Sequence, residues 1–214
     1  MSYWETSCLP NNVEVPLLPR EPALLIVLSG PSGAGKDSVC DVLRTWYPTM
    51  HKVVTVTTRP VRPGEENGRD YHFISGPEFQ QILDTDGFVE HATVFEHSYG
   101  VPRIEIEDPL GFGLDVLARV DVQGAATLKR LFPDALLVFL TPGSVEESVR
   151  RMKQRDLDTE SQQKLRTEIA ASELEAARDF DYVVINETGK LNEAASEIAR
   201  IIAAEKKRRG PRHE

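Results

Sequence analysis

Leu24-Leu25-Ile26-Val27-Leu28-Ser29-Gly30-Pro31-Ser32-Gly33-Ala34-Gly35-Lys36-Asp37-Ser38 decides the fold of this chain. It opens with five aliphatic residues, the pattern of a strand buried on both faces. A glycine-rich turn follows, and then Val39, Val42, Leu43 and Trp46 recur at helical spacing. A G-x-x-x-x-G-K run between a strand and a helix is a candidate phosphate cradle. Glycines let backbone N–H groups turn onto an anion, and the helix N-terminus adds partial positive charge. Lys36 adds a mobile point charge for the outer phosphates. The candidate polyphosphate site is therefore Gly30, Pro31, Ser32, Gly33, Ala34, Gly35, Lys36, Asp37 and Ser38. Where such loops commonly carry a metal-ligating Ser or Thr, this chain has Asp37. A carboxylate is also a hard oxygen ligand, so Asp37 is the candidate Mg²⁺ ligand, directly or through water. The competing reading is a chance glycine turn before an amphipathic helix, which the flanking strand and helix disfavour.

The bulk properties narrow the field. A chain of 214 residues, 40% hydrophobic, suits one compact domain. A net charge of −9 argues against sequence-independent binding to nucleic acid. No apolar run reaches membrane-spanning length. Cys8 and Cys40 have no metal or redox spacing, which suits a reducing cytoplasm. The five histidines form no spaced metal set. Residues 1–22 hold four prolines without sustained periodicity and read as an irregular extension; residues 206–214 read as a basic tail.

Beyond the loop, Val53 to Thr58 reads as a strand, and the following stretch to Phe73 as a structured loop. Arg59 and Arg62 flank its first turn, and Tyr71 ends it; together they suit a second phosphate group. A solvated basic loop paired with Glu65, Glu66 and Asp70 fits the spacing equally well. Pro77 to Asp86 reads as a helix stopped by Gly87, Phe88 to Phe95 as a strand, and Ser98 to Pro102 as a turn. Glu90 lies among apolar neighbours, where a carboxylate needs hydrogen bonds; it either faces solvent or takes two N–H donors from a purine edge. Leu114 to Val120 reads as a strand closed by Asp121, the place where α/β nucleotide enzymes put a carboxylate near metal or substrate. Helix Ala125 to Phe132, strand Ala135 to Leu140, buried strand Tyr182 to Ile185 and helix Leu191 to Lys207 complete an α/β pattern. Two charged helices, Ser144 to Arg155 and Gln162 to Asp179, carry Arg151, Arg155 and Arg166 and suit a lid, or else a solvated helical hairpin.

Taken together, the glycine loop, the Thr57 to Phe73 stretch, Glu90, Tyr99-Gly100, Val120-Asp121-Val122-Gln123-Gly124 and the lid arginines resemble the guanylate kinase family, over about Leu24 to Ile202. The resemblance implies a P-loop NTPase-type parallel-sheet core with an inserted β-rich GMP-binding region and a helical lid. The domain would span 23–205, with the GMP region at about 54–102 and the lid at about 151–166. It implies ATP as phosphoryl donor, Mg²⁺, and GMP or dGMP as acceptor, in a monomer or small homo-oligomer. By position, Arg59, Arg62, Tyr71 and Tyr99 would hold the GMP phosphate, and Thr55, Glu90 and Asp121 would face guanine. Lys36, Arg151, Arg155 and Arg166 would stabilise the transferring phosphoryl group, and Asn186 would lie near adenine. Three positions depart from the family pattern: Asp37 for Ser, Val101 for Ser or Thr, and Arg119 for an acidic residue. The Lys36-Asp37-Ser38 sequence also resembles kinases of ribose bisphosphates, and the fold is shared by non-catalytic binding modules. The Thr57 to Phe73 stretch argues against the first, and retention of Lys36 and the lid arginines against the second.

Overall fold

The structure, a computed structural model, describes residues 22–94, 96–144, 147, 150 and 175–210. The lid with Arg151, Arg155 and Arg166, and nearly all of the N-terminal extension, lie outside the described residues.

A five-stranded parallel sheet forms the centre, in the order β2-β7-β1-β8-β9. Its strands are β1 (Leu25–Ser29), β2 (His51–Lys52), β7 (Val116–Arg119), β8 (Leu136–Thr141) and β9 (Tyr182–Ile185). Strands β1 and β8 are buried at every position, as runs of Val, Leu and Ile demand when helices cover both faces. On one face, α1 (Lys36–Trp46) and the C-terminal helix α5 (Leu191–Arg209) pack Val39, Leu43, Ile198 and Ile202 against Ile26, Leu28, Val138 and Leu140. On the other, α3 (Ile104–Gly111) and α4 (Val122–Leu131) pack Ile106, Ala125 and Leu128 against Leu25, Val27 and Leu137.

A second sheet has the order β4-β3-β6-β5, from β3 (Val56–Thr57), β4 (His72–Phe73), β5 (Phe88–Val94) and β6 (His97–Pro102). Helix α2 (Gly76–Asp84) covers it, stacking Phe79 on Phe88 at 4.6 Å. A capping box starts this helix: the Ser75 hydroxyl accepts from Glu78 N, and Glu78 accepts from Ser75 N.

Several sequence expectations are corrected. Val53 to Thr58 is not one strand. The chain leaves the first sheet after Lys52, with Val53 N bonded to Leu117 O at 3.0 Å, and enters the second at Val56. Ser98 to Pro102 is strand, not turn: β6 pairs antiparallel with β5 along its length. Gly100 is there because the Phe88 ring lies over it; a Cβ would come within 2.7 Å of that ring. The sequence reading left out α3, whose apolar positions are few and whose interior holds Pro109. Strand β9 is an edge strand with Val183 and Ile185 about half exposed among the described residues. Basic residues 206–209 continue α5, where Lys206 pairs with Asp115 at 2.6 Å and Arg208 with Glu205 at 2.7 Å.

Glu105 of α3 joins the two sheets. Its carboxylate accepts from Val54 N at 3.0 Å and meets His51 of β2 at 2.8 Å and His72 of β4 at 3.6 Å. Burial works against its charge, but the two imidazoles and the Val54 N–H overcome this and hold the carboxyl at about 2. Glu105→Ala strands a half-buried N–H and removes the joint. It should lower stability by about 2–3 kcal/mol, read as a shifted urea midpoint at unchanged slope.

Candidate active site

The site lies at the carboxyl ends of the parallel strands, where β1 gives way to the glycine loop between neighbours β7 and β8. Two glycines there have no substitute. Gly30 has φ 139°, and a Cβ on it would lie 2.0 Å from the Leu140 carbonyl oxygen. Gly35, the N-cap of α1, has φ 89°, and its Cβ would lie 2.5 Å from Asn186 Nδ2. Asn186 follows β9 and is buried; its Nδ2 donates to Ala34 O at 2.8 Å. Asn186, expected near a base, also braces the loop from the end of β9. Lys36 folds back along the loop, donating to Gly30 O and, at 3.2 Å, to Pro31 O.

The second sheet contributes a separate cationic cluster. Thr57 Oγ1 donates to Ser98 O at 3.0 Å and accepts from Arg59 N at 3.2 Å, which sets the direction in which Arg59 leaves β3. Arg59 is only 7% exposed. Its guanidinium makes a bidentate pair with Glu65 at 2.8 and 3.0 Å and lies over Tyr71 and Phe73, with Cζ 5.4 and 5.6 Å from the ring centroids. The hydrogen bond from Arg59 is the main cause holding the Glu65 carboxyl below its usual range. Glu65 also accepts from Arg62 N at 2.8 Å, while the Arg62 residue is exposed. Of the solvated, ion-paired loop, the pairing of Arg59 with Glu65 is present, but Arg59 is packed under aromatic rings instead of solvated. Tyr71 and Tyr99 meet edge to face at 6.1 Å.

Glu90 sits in β5 opposite Val101, near the N-terminus of α4. Burial, and then the neighbouring Asp121 carboxylate, push its carboxyl up to about 7. Among the described residues nothing hydrogen-bonds to it. Asp121 itself caps α4, accepting from Gly124 N at 2.8 Å. Gly124 permits the approach: a Cβ there would be 3.4 Å from Glu90 Cδ and 2.9 Å from Val120 Cβ. Thr55 is half-buried beside β3, its carbonyl accepting from His72 N at 2.9 Å.

The residue that sequence reasoning did not place in the site is Arg119, at the end of β7. Its Nη1 is 2.7 Å from Asp37 Oδ1, its Nη2 donates to the Tyr71 hydroxyl at 2.9 Å, and its Cζ lies 5.4 Å from the Tyr71 ring centroid. Burial opposes its charge, but Tyr71 and Asp37 outweigh that and keep it fully protonated. The available signal was a pair of departures of opposite charge, Asp37 and Arg119, in one motif set. The pair also bears on metal binding. Asp37 was the expected Mg²⁺ ligand, yet a guanidinium already occupies its Oδ1. A divalent cation at that oxygen would sit against a fixed positive charge. Among the described residues no three His, Cys, Asp or Glu side chains are grouped to hold a metal. The residues present do not fit a protein-held Mg²⁺ at Asp37.

A parallel sheet with a glycine loop at the end of its central strand, leading into a helix that begins with lysine, defines a P-loop NTPase-type fold. The family model described as guanylate kinase matches residues 23–205. A guanylate kinase of Thermus thermophilus is 40% identical over 190 residues, covering 87% of this chain and 83% of its own length. One from a Synechococcus species is 37% identical over 195 residues, covering 91% and 88%. The crystal structure of guanylate kinase from Anaplasma phagocytophilum superposes with a TM-score of 0.71 at 32% identity, over 87% of this chain and 88% of that one. The chain belongs to the guanylate kinase family.

The Glu90 carboxyl carries a pH signature of known sign. Its folded value lies above its ordinary one, so between pH of about 4.5 and 7 the native state keeps a proton that the unfolded state has lost. Its contribution to stability is therefore full at low pH and declines as pH rises through 7. Glu90→Gln should flatten that decline in the ligand-free protein. It should raise stability above pH 7 by on the order of 1–3 kcal/mol and change it little below pH 4.5, measured by urea unfolding across the range.

Proposed function

We infer that the chain transfers the γ-phosphoryl group of ATP to GMP or dGMP, giving ADP and GDP or dGDP. One observation supports the reading: two cationic groups, Lys36 in its glycine loop and Arg59 under Tyr71 and Phe73, lie at the two sheets and are linked through Arg119. The family relationship supplies the substrates. The donor phosphates rest on the loop N–H groups and Lys36, at the positive end of α1. The acceptor phosphate is taken by Arg59, Arg62, Tyr71 and Tyr99. Its oxygen attacks the γ-phosphorus in line, the bond from that phosphorus to the β–γ bridging oxygen breaks, and ADP leaves with the electron pair. The protein's part is positioning and charge neutralisation, since two polyanions must approach. Arg151, Arg155 and Arg166 are assigned to the same task from the lid, whose closure keeps water from accepting the phosphoryl group.

Guanine recognition falls to Glu90, Asp121 and Thr55. Guanine presents adjacent N–H donors at N1 and N2, whereas adenine offers no such pair. A half-buried carboxylate with no donors of its own accepts both. We place the reaction in the cytoplasm, in a monomer or small homo-oligomer acting on free nucleotides. No helix among the described residues is long and apolar enough to cross a membrane. Cys40 is buried with its thiol pushed up to about 12, an inert core residue.

An ADP-release assay over GMP, dGMP, AMP, CMP, UMP and ribose 1,5-bisphosphate tests the reading. GMP and dGMP should turn over at least ~100-fold better than the others. Preference for the bisphosphate, or no turnover at all, would overturn it. Lys36→Ala should lower kcat by about 10²–10³-fold in a folded protein. Because Glu90 must give up its proton to accept from guanine, guanosine, which has no phosphate proton of its own to lose at a pH of about 6, should release close to one proton on binding at that pH. Calorimetry in buffers of different ionisation enthalpy should show this release in the parent and not in Glu90→Gln.

A further inference from the structure

Arg119 stands between the two halves of the site and touches both. Its two terminal nitrogens serve different elements: Nη1 takes Asp37 in the first turn of α1, and Nη2 takes the Tyr71 hydroxyl beside β4. The side chain starts from the end of β7, whose backbone is registered against β1 at Leu28. One end is thus fixed by the sheet and the other is forked between the donor loop and the acceptor region. On the far side of the Tyr71 contact lies Arg59, 5.4 Å from the same ring. The contacts run unbroken from Asp37 through Arg119 and Tyr71 to Arg59.

The chemistry of the middle contact has a direction. A phenol hydroxyl has one proton to give and lone pairs to receive. Arg119 has no acceptor, so Tyr71 Oη must accept from it, and its own proton is left to be donated elsewhere. Accepting from a charged donor also polarises that O–H. The nearby cation Arg59 cannot receive the proton either. The hydroxyl is thereby set to donate to an anion held by Arg59.

We propose that Arg119 is a positioning residue that couples the two nucleotide subsites: Asp37 on the donor loop holds it, and it in turn orients the Tyr71 hydroxyl toward the acceptor's phosphate. Asp37 then serves as an anchor for arginine and not as a metal ligand, which accounts for the poor fit to Mg²⁺ noted above. The inference rests on the assignment of Tyr71 to the acceptor phosphate. It makes an unexpected demand: a substitution on the donor loop should weaken the acceptor with no ATP and no divalent cation present.

The test is calorimetric binding of GMP, with guanosine as the comparator that lacks the phosphate, to the full chain without ATP or divalent cation. Tyr71→Phe should weaken GMP by about 10-fold and leave guanosine unchanged. Arg119→Gln should weaken GMP by about 5–10-fold, again without effect on guanosine. Arg119→Lys should not rescue it, because one ammonium keeps the charge but cannot span both partners. Asp37→Asn should weaken GMP by about 3–5-fold, and Asp37→Asn combined with Arg119→Gln should be no worse than Arg119→Gln alone. Unchanged GMP affinity in Tyr71→Phe would remove Tyr71 from the acceptor site and overturn the assignment beneath the proposal. A loss in Tyr71→Phe alongside parental GMP affinity in Arg119→Gln or Asp37→Asn would overturn the coupling itself. So would full rescue by Arg119→Lys, or equal losses for GMP and guanosine, which mark a purely structural role.

Discussion

The close approach of Gly30 to the Leu140 carbonyl is the contact on which the site depends. Strand β1 is buried on both faces between β7 and β8, so the chain has no freedom to drift as it leaves the sheet. At Gly30 it must turn under a neighbouring backbone at a distance that excludes any side chain. That turn sets where the loop begins. Gly35, pressed against Asn186, sets where it ends and where α1 starts. Lys36 and Asp37 follow immediately, so two contacts made by absent side chains place two charged groups. The sheet supplies rigidity, the glycines supply the only path, and the site's chemistry is hung from the result.

Charge is managed locally in a chain that is acidic overall. Arg59 and Arg119 each carry a partner carboxylate, Glu65 and Asp37, and each has an aromatic face beside it in Tyr71. An arginine buried without a counterion would be costly, and one left in water would be mobile and weakly felt. A carboxylate partner together with an aromatic ring keeps each guanidinium charged and aimed, by a bidentate pair at Arg59 and a single contact at Arg119. Glu90 shows the opposite treatment. It is half-buried near another carboxylate with no donor among the described residues, and its proton affinity rises accordingly. The cationic subsites are satisfied in advance, whereas the base subsite is left wanting donors. On the proposed assignment this difference suits their tasks: phosphates would be bound by charge that is always present, and a base selected by groups that only the right hydrogen-bond pattern relieves.

The core sheet was legible because burial on both faces leaves an unambiguous mark. Leu24 to Leu28 and Ala135 to Leu140 are such apolar runs, and each is a strand within a residue or so of its expected limits; Tyr182 to Ile185 is also a strand, but an exposed edge strand where a buried one was expected, and the two-residue β2 left no mark. The second sheet was harder. Its strands β3 and β4 have two residues each, too short for any period to register, and β6 is spelled with Ser, Tyr, Gly and Pro. Those letters ordinarily signal a turn; here Gly100 makes room for the Phe88 ring and Pro102 ends the pairing. Helix α3 was missed because its role is polar. Glu105 holds two histidines and a backbone N–H, and no hydrophobic period announces such a joint. Within the site, the loop was readable as a motif, whereas Arg119 was not, since its partners lie 82 and 48 positions away in sequence. Only folding brings them together.

The Asp37–Arg119 pair shows why such sites resist reading one position at a time. Taken alone, an aspartate after the loop lysine puts negative charge where polyphosphate must bind, and an arginine at the end of β7 puts positive charge where an acidic group is expected. Each looks like damage. Brought to 2.7 Å they neutralise one another, and the arginine retains a second N–H for Tyr71. The opposite charges offset one another beside Lys36. What the pair adds is mechanical: a connection between donor loop and acceptor region that a neutral side chain at either position could not make. An enzyme that must hold two like-charged substrates within bonding distance has reason to tie their binding sites together through its own side chains, because misplacement of either substrate costs more than the loss of one hydrogen bond.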